Sequence, residues 1–114
     1  VDFGDGPTNA LKAARAGPDL TVEQRNLFTR PLDPRDLQTF AAAVLDPPRA
    51  GARAQAAALA RSAVPAVIYV SCNPVAFAKD AALLRAGGFR LQRLRMIDQF
   101  IWSAHTELVG LFAR

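Results

Sequence analysis

The sequence predicts an α/β fold: one mostly parallel sheet with an antiparallel last strand. Three observations carry this. Two short aliphatic runs, residues 41–45 and 66–70, each stop at a proline-bearing breaker, Asp46-Pro47-Pro48 and Ser71-Cys72-Asn73-Pro74. Such runs, bounded by breakers, read as buried strands of a parallel sheet. Helical stretches alternate with the strand-like runs, and that order implies parallel pairing through right-handed crossovers. The last two strand-like runs have no helical period between them, which fits an antiparallel closing strand.

Taken in order, Val1-Asp2-Phe3 reads as the end of a strand whose beginning precedes the chain. Residues 9–16 read as a helix, opened by Asp5 or Thr8 and closed by Gly17-Pro18. Residues 20–24 alternate in polarity and are predicted to form a short strand. A loop follows over residues 31–40, with one helical turn around Arg35-Asp36-Leu37. The strand 41–45 leads through Asp46 to an alanine-rich helix at 52–62. The strand 66–70 leads through Cys72 to a helix at 74–86, with Pro74 in its first turn and Gly87-Gly88 beyond its end. Residues 89–96 form a strand with imperfect alternation of Phe89, Leu91, Leu94 and Met96. Residues 106–112 form the last. Parallel strands are thus expected at 20–24, 41–45, 66–70 and 89–96.

With 114 residues, 51% of them apolar, the chain can bury one modest core. A single cysteine excludes an internal disulfide framework and fits a reducing, cytoplasmic compartment. Pro, Arg or Asp interrupts every apolar run, so no bilayer span or membrane partner is expected. No basic segment followed by an apolar one marks a signal peptide. Twelve arginines and two lysines against ten acids give a net charge of +4. That balance is compatible with a polyanionic partner without requiring one.

Three segments carry chemistry. Asp46-Pro47-Pro48-Arg49-Ala50-Gly51 puts a carboxylate at the end of a buried strand, in a loop that two prolines stiffen. Tyr69-Val70-Ser71-Cys72-Asn73-Pro74 puts the only thiol just ahead of a helix. Free amide groups there favour an anion, and the thiolate is the reactive form of cysteine. Most free cysteines are merely small buried hydrophobes; at the carboxyl edge of a sheet, where α/β folds place ligands, the functional reading is favoured. Ser71 and Asn73 either line that site or cap the helix. The third segment runs from Asp98 to Glu107 and holds the only Trp and the only His, His105. Glu107 opens an otherwise apolar strand, a local conflict of the sort found at functional sites.

Together these segments resemble the carboxyl-terminal half of the catalytic domain of the RNA uracil-5-methyltransferase family. The family pattern runs Asp-Pro-Pro-Arg-x-Gly, a helix, two aliphatics and Tyr-x-Ser-Cys-Asn. Here these are residues 46–51 and Val67-Ile68-Tyr69-Val70-Ser71-Cys72-Asn73. Asp98-Gln99-Phe100, Ser103 and His105-Thr106-Glu107 complete it. The chain departs from the pattern at Ala76, where Thr is usual, and at Trp102, where Pro is frequent.

The resemblance implies a partial Rossmann-like class I methyltransferase sheet spanning residues 1–114, without the family's Gly-rich cofactor loop or its RNA-binding domain. It implies S-adenosyl-L-methionine as cofactor, tRNA or rRNA as partner, and no metal. It implies Cys72 as nucleophile and Glu107 as general base. Asp2, Asn26 and Asp46 are implied at the cofactor, with Asn26 where an Asp commonly contacts the adenine. Asp46, Asn73 and His105 are implied at the target base. The same resemblance leaves room for a fragment that is not catalytic by itself. An RNA cytosine-5-methyltransferase would be expected to show a different cysteine context and no His-x-Glu. A generic nucleic-acid-binding module would leave Cys72 and Glu107 unexplained.

Overall fold

The structure, a computed structural model, describes residues 20–98 and 106–114. The strand end at 1–3, the helix at 9–16, Asp2 and His105 lie outside the described residues. Among those described, the order is α1 (Pro34–Leu37), β1 (Ala43–Leu45), α2 (Arg53–Ala60), β2 (Ala66–Ser71), α3 (Pro74–Ala86), β3 (Arg90–Asp98) and β4 (Thr106–Ala113).

The four strands form one sheet in the order β1-β2-β4-β3. β1 and β2 are parallel, and β4 runs antiparallel to both β2 and β3. Strands β1, β2 and β3 therefore share one direction, and the antiparallel β4 is inserted between β2 and β3. That is the mixed sheet the sequence predicts, with its last strand reversed.

One prediction needs correction. Residues 20–24 do not form a strand; Gln24 makes only an isolated bridge. Alternating polarity makes a segment fit for a sheet, but a ladder also needs a continuous neighbour. Among the described strands, β1 pairs with β2 alone, and Leu20 is left largely exposed.

The core lies on one face of the sheet. Cross-strand register puts Leu45 with Tyr69, Val67 with Phe112 and Ser71 with Leu108. These residues are buried, whereas their neighbours along the same strands, Val44 and Leu111, are exposed. Period-two alternation thus sorts each strand into a core side and an opposite side. Leu59 of α2 and Phe77 and Leu84 of α3 close the core from above. Phe77 meets Tyr69 edge-on at 5.4 Å and Phe112 at 5.9 Å. Gly110 is the gap that admits the Phe77 ring: a Cβ there would lie 2.7 Å from it.

Candidate active site

Parallel pairing decides which residues meet. Leu45, the last residue of β1, sits opposite Tyr69, and β2 ends two residues later at Ser71. Asp46 and Cys72 therefore emerge at the same carboxyl edge of the sheet. β4 enters from that edge, with Leu108 opposite Ser71 and Glu107 opposite Ile97 of β3. Three chain segments far apart in sequence thus deliver a carboxylate, a thiol and a second carboxylate to one edge.

The thiol turn is held from both sides. Ser71 Oγ accepts from the Asn73 N–H at 3.1 Å and donates to the Asn73 carbonyl at 2.9 Å. Asn73 caps α3, its Oδ1 accepting from the Val75 N–H at 3.1 Å. Its Nδ2 donates to the Arg49 carbonyl at 2.9 Å, across to the loop of Asp46. Of the two roles open to Asn73, capping is the one this geometry displays, and the same side chain bridges the two loops. Cys72 itself is half-buried and has no disulfide partner.

The acid loop is held from below. Its Gly51 N–H donates to the Pro48 carbonyl at 2.9 Å, and Gly51 takes a φ of +84° that suits glycine. The next residue, Ala52, begins α2 without a side-chain cap. Its N–H donates instead to Oδ2 of Asp80, in α3, at 2.7 Å. The same oxygen accepts from the Tyr69 hydroxyl of β2. Burial, then the bond to Asp80, pushes the Tyr69 hydroxyl far above its ordinary range. Sequence reasoning gave Tyr69 no role within its motif and missed Asp80 altogether. Asp80 is mid-helix, where an acid normally faces water, yet it is 2% exposed.

The remaining candidates divide. The Asp46 side chain is exposed and makes no hydrogen bond or ion pair among the described residues, so its carboxylate is available to a ligand. Glu107 is half-buried at the start of β4. Asn26 lies in an exposed turn with its Oδ1 taken by the Phe28 N–H at 3.0 Å, which leaves its amide nitrogen as a donor. Among the described residues there is no group of three or more His, Cys, Asp or Glu able to hold a metal ion. A groove of about 600 Å³ lies away from this edge, along α3 and β3, lined by Phe77, Arg85, Arg90 and Leu91 among others.

Comparison with known proteins matches the same residues. The family model of tRNA (uracil-5-)-methyltransferase covers residues 19–114. The chain belongs to this family. An RNA methyltransferase of Brucella suis, itself uncharacterized, is 50% identical over 95 residues, 83% of this chain and 23% of that protein. A 23S rRNA (uracil(1939)-C(5))-methyltransferase of Chromohalobacter salexigens is 49% identical over 71 residues, 62% of this chain and 15% of that protein. The crystal structure of a Pyrococcus abyssi tRNA (uracil-54, C5)-methyltransferase with S-adenosyl-L-homocysteine superposes with a TM-score of 0.60 at 33% identity. That match covers 68% of this chain and 19% of the other. The chain thus spans a quarter or less of the length of the curated relatives named here. Its mixed α/β sheet matches part of that methyltransferase structure.

Proposed function

We propose that the protein carrying these residues methylates carbon 5 of a uridine in tRNA or rRNA, using S-adenosyl-L-methionine, Cys72 as nucleophile and Glu107 as base. The observation that carries this reading is the register that brings Asp46, Cys72 and Glu107 to one sheet edge. The named relatives support the substrate class, since one modifies a tRNA uracil and another an rRNA uracil. The span of only 15% to 23% of the relatives named above favours a second reading for these residues taken alone: a part of the catalytic domain that does not turn over by itself.

Carbon 5 of uracil is a poor nucleophile. Addition of the Cys72 thiolate to carbon 6 moves the ring electrons onto the oxygen at carbon 4 and makes carbon 5 nucleophilic, which divides one hard step into easier ones. The cofactor, when bound, supplies an electrophilic methyl group. Asp46, with its free carboxylate at the strand end, is the described residue best suited to hold it or the base edge, with the Asn26 amide as a further donor and Asp2 assigned to the cofactor by the family resemblance. Once carbon 5 carries both a methyl group and a proton, Glu107 takes the proton. The electrons of that C–H bond re-form the ring double bond, the carbon–sulfur bond breaks, and the thiolate leaves. The target uridine must leave any stack to reach Cys72, and the family resemblance assigns His105 and Asn73 to the base there. A reducing, cytoplasmic setting keeps the thiol free.

The test separates the two roles. In the protein that carries this chain, Cys72→Ala abolishes methylation and any covalent adduct with RNA containing 5-fluorouridine. Fluorine cannot leave as a proton, so the unaltered protein accumulates that adduct. Glu107→Gln still forms an adduct on ordinary uridine RNA and releases it slowly, because attack precedes deprotonation. Crosslinking by the Cys72 variant, or normal turnover by the Glu107 variant, overturns the assignment.

A further inference from the structure

Asp80 is a buried carboxylate that the chemistry above does not use. Buried carboxylates are costly unless hydrogen-bonded, and this one takes its bonds from two directions. Tyr69 donates from β2, two residues before the strand ends at Ser71. Ala52 donates from the first residue after the acid loop. Asp80 itself is in α3, the helix that the Cys72 turn opens. One carboxylate oxygen thus joins the strand that ends at the thiol, the helix that begins after it, and the loop of Asp46. Gly51 seats the loop directly on that oxygen: a Cβ there would lie 2.9 Å from Asp80 Oδ2 and 3.0 Å from the Ala76 Cβ. The only other described side-chain hydrogen bond between loop and thiol turn is the Asn73 amide on the Arg49 carbonyl.

Resting on the function proposed above, we infer that Asp80, with Tyr69, is a positioning residue for that site: it fixes the Asp46 loop against the Cys72 turn. Asp80 touches neither thiol nor substrate. It acts through the Ala52 amide and the Tyr69 hydroxyl. Two anchor points hold a short loop in one place, and losing one lets it swing about the other. Displacement by an ångström of a group that must meet a reacting base costs about 100-fold in rate.

The experiment uses the protein that carries this chain and three variants: Asp80→Ala, Asp80→Asn and Tyr69→Phe. Amide hydrogen exchange at Gly51 and Ala52 is read alongside the rate of covalent adduct formation on bound 5-fluorouridine RNA, and RNA affinity is measured separately. In Asp80→Ala these two amides exchange at least about 10-fold faster, and the adduct rate falls by about 100-fold while RNA affinity holds. Asp80→Asn, whose amide oxygen can still accept both bonds, recovers most of the rate. Tyr69→Phe keeps the ring and the fold, should the alanine variant fail to fold, and falls between. Unchanged exchange at Gly51 and Ala52 overturns the inference, as does faster exchange with an undiminished adduct rate. An unaltered protein that forms no adduct at all overturns the proposed chemistry instead, and the exchange measurement then decides by itself whether Asp80 holds the loop.

Discussion

Tyr69 is the only tyrosine in the chain, so its ionisation is readable without interference from another. In an unfolded chain a tyrosine hydroxyl ionises near pH 10. In the fold, burial and the bond to Asp80 raise that point far upward. The folded state therefore keeps a proton that the unfolded state loses, and the linked stability is whole below about pH 10 and declines above it. The decline reaches about 1.4 kcal/mol per pH unit. Phenolate absorbance is expected to rise together with the loss of secondary structure, and Tyr69→Phe to remove the alkaline slope. A phenolate signal near pH 10 in a protein still folded would show that the hydroxyl is not held as described. Gly51→Ala tests the same place by shape. Its positive φ and the 2.9 Å approach to Asp80 both resist a methyl group, and a loss of about 1–3 kcal/mol in urea unfolding is expected. At this scale the sequence was only partly legible. Cys72 and Asp46 could be read because each follows an aliphatic strand. Asp80 could not, since its partners are eleven and twenty-eight positions away and belong to other elements.

The elements show where local signals suffice. The helix α3 occupies the predicted residues 74–86, because its start and stop are written locally: Asn73 caps it, Pro74 opens it and Gly87 closes it. The imperfect alternation of β3 also has a physical source. A register shift between Leu91 and Arg93 inserts one residue, so Leu91 faces Phe112 and Leu94 faces Gly110 on the same side of the sheet. What the sequence did not disclose is how α2 and α3 are joined at their carboxyl ends. Gly87 packs against the end of α2 so closely that a Cβ would lie 2.3 Å from the Ala60 carbonyl. Arg114 follows β4 and spreads its guanidinium over these ends. It donates to the carbonyls of Ser62 at 2.6 Å, Val64 at 3.0 Å and Leu59 at 3.2 Å, and to Gly87. It also stacks 4.0 Å above the Phe89 ring. A cation at helix carboxyl ends satisfies carbonyls that the helices leave open. Arg114→Ala is expected to cost about 2 kcal/mol in urea unfolding. Arg114→Lys should recover only part of that, because an ammonium cannot fork among several carbonyls or stack as a plane. Full recovery by lysine would reduce the contact to charge alone.

Across the whole molecule the two faces of the sheet differ. One is covered by α2 and α3; the other carries Val44, Ile68, Val70, Val109 and Leu111, which are half-buried or exposed. Among the described residues no helix is long and apolar enough to cross a membrane. The inserted residue in β3 also decides where charge lies. Arg93 pairs with Leu111, Arg95 with Val109 and Ile97 with Glu107, so two exposed arginines share a face of the edge strand and lead toward Glu107. Charged side chains on an edge strand discourage strand addition. Under the function proposed above they would also face a polyanion, and Arg95 lies about 7 Å along the strand from the level of Glu107. Phosphate contacts release counterions, so each contributes about 0.7 to 0.9 to the slope of log affinity against log salt. If both arginines meet phosphates, replacing Arg93 and Arg95 with glutamine lowers that slope by about 1.5 and weakens RNA binding similarly for different RNA sequences. The measurement is RNA affinity at several salt concentrations. An unchanged slope would mean that the pair guards the sheet edge and that the RNA takes another path to Cys72.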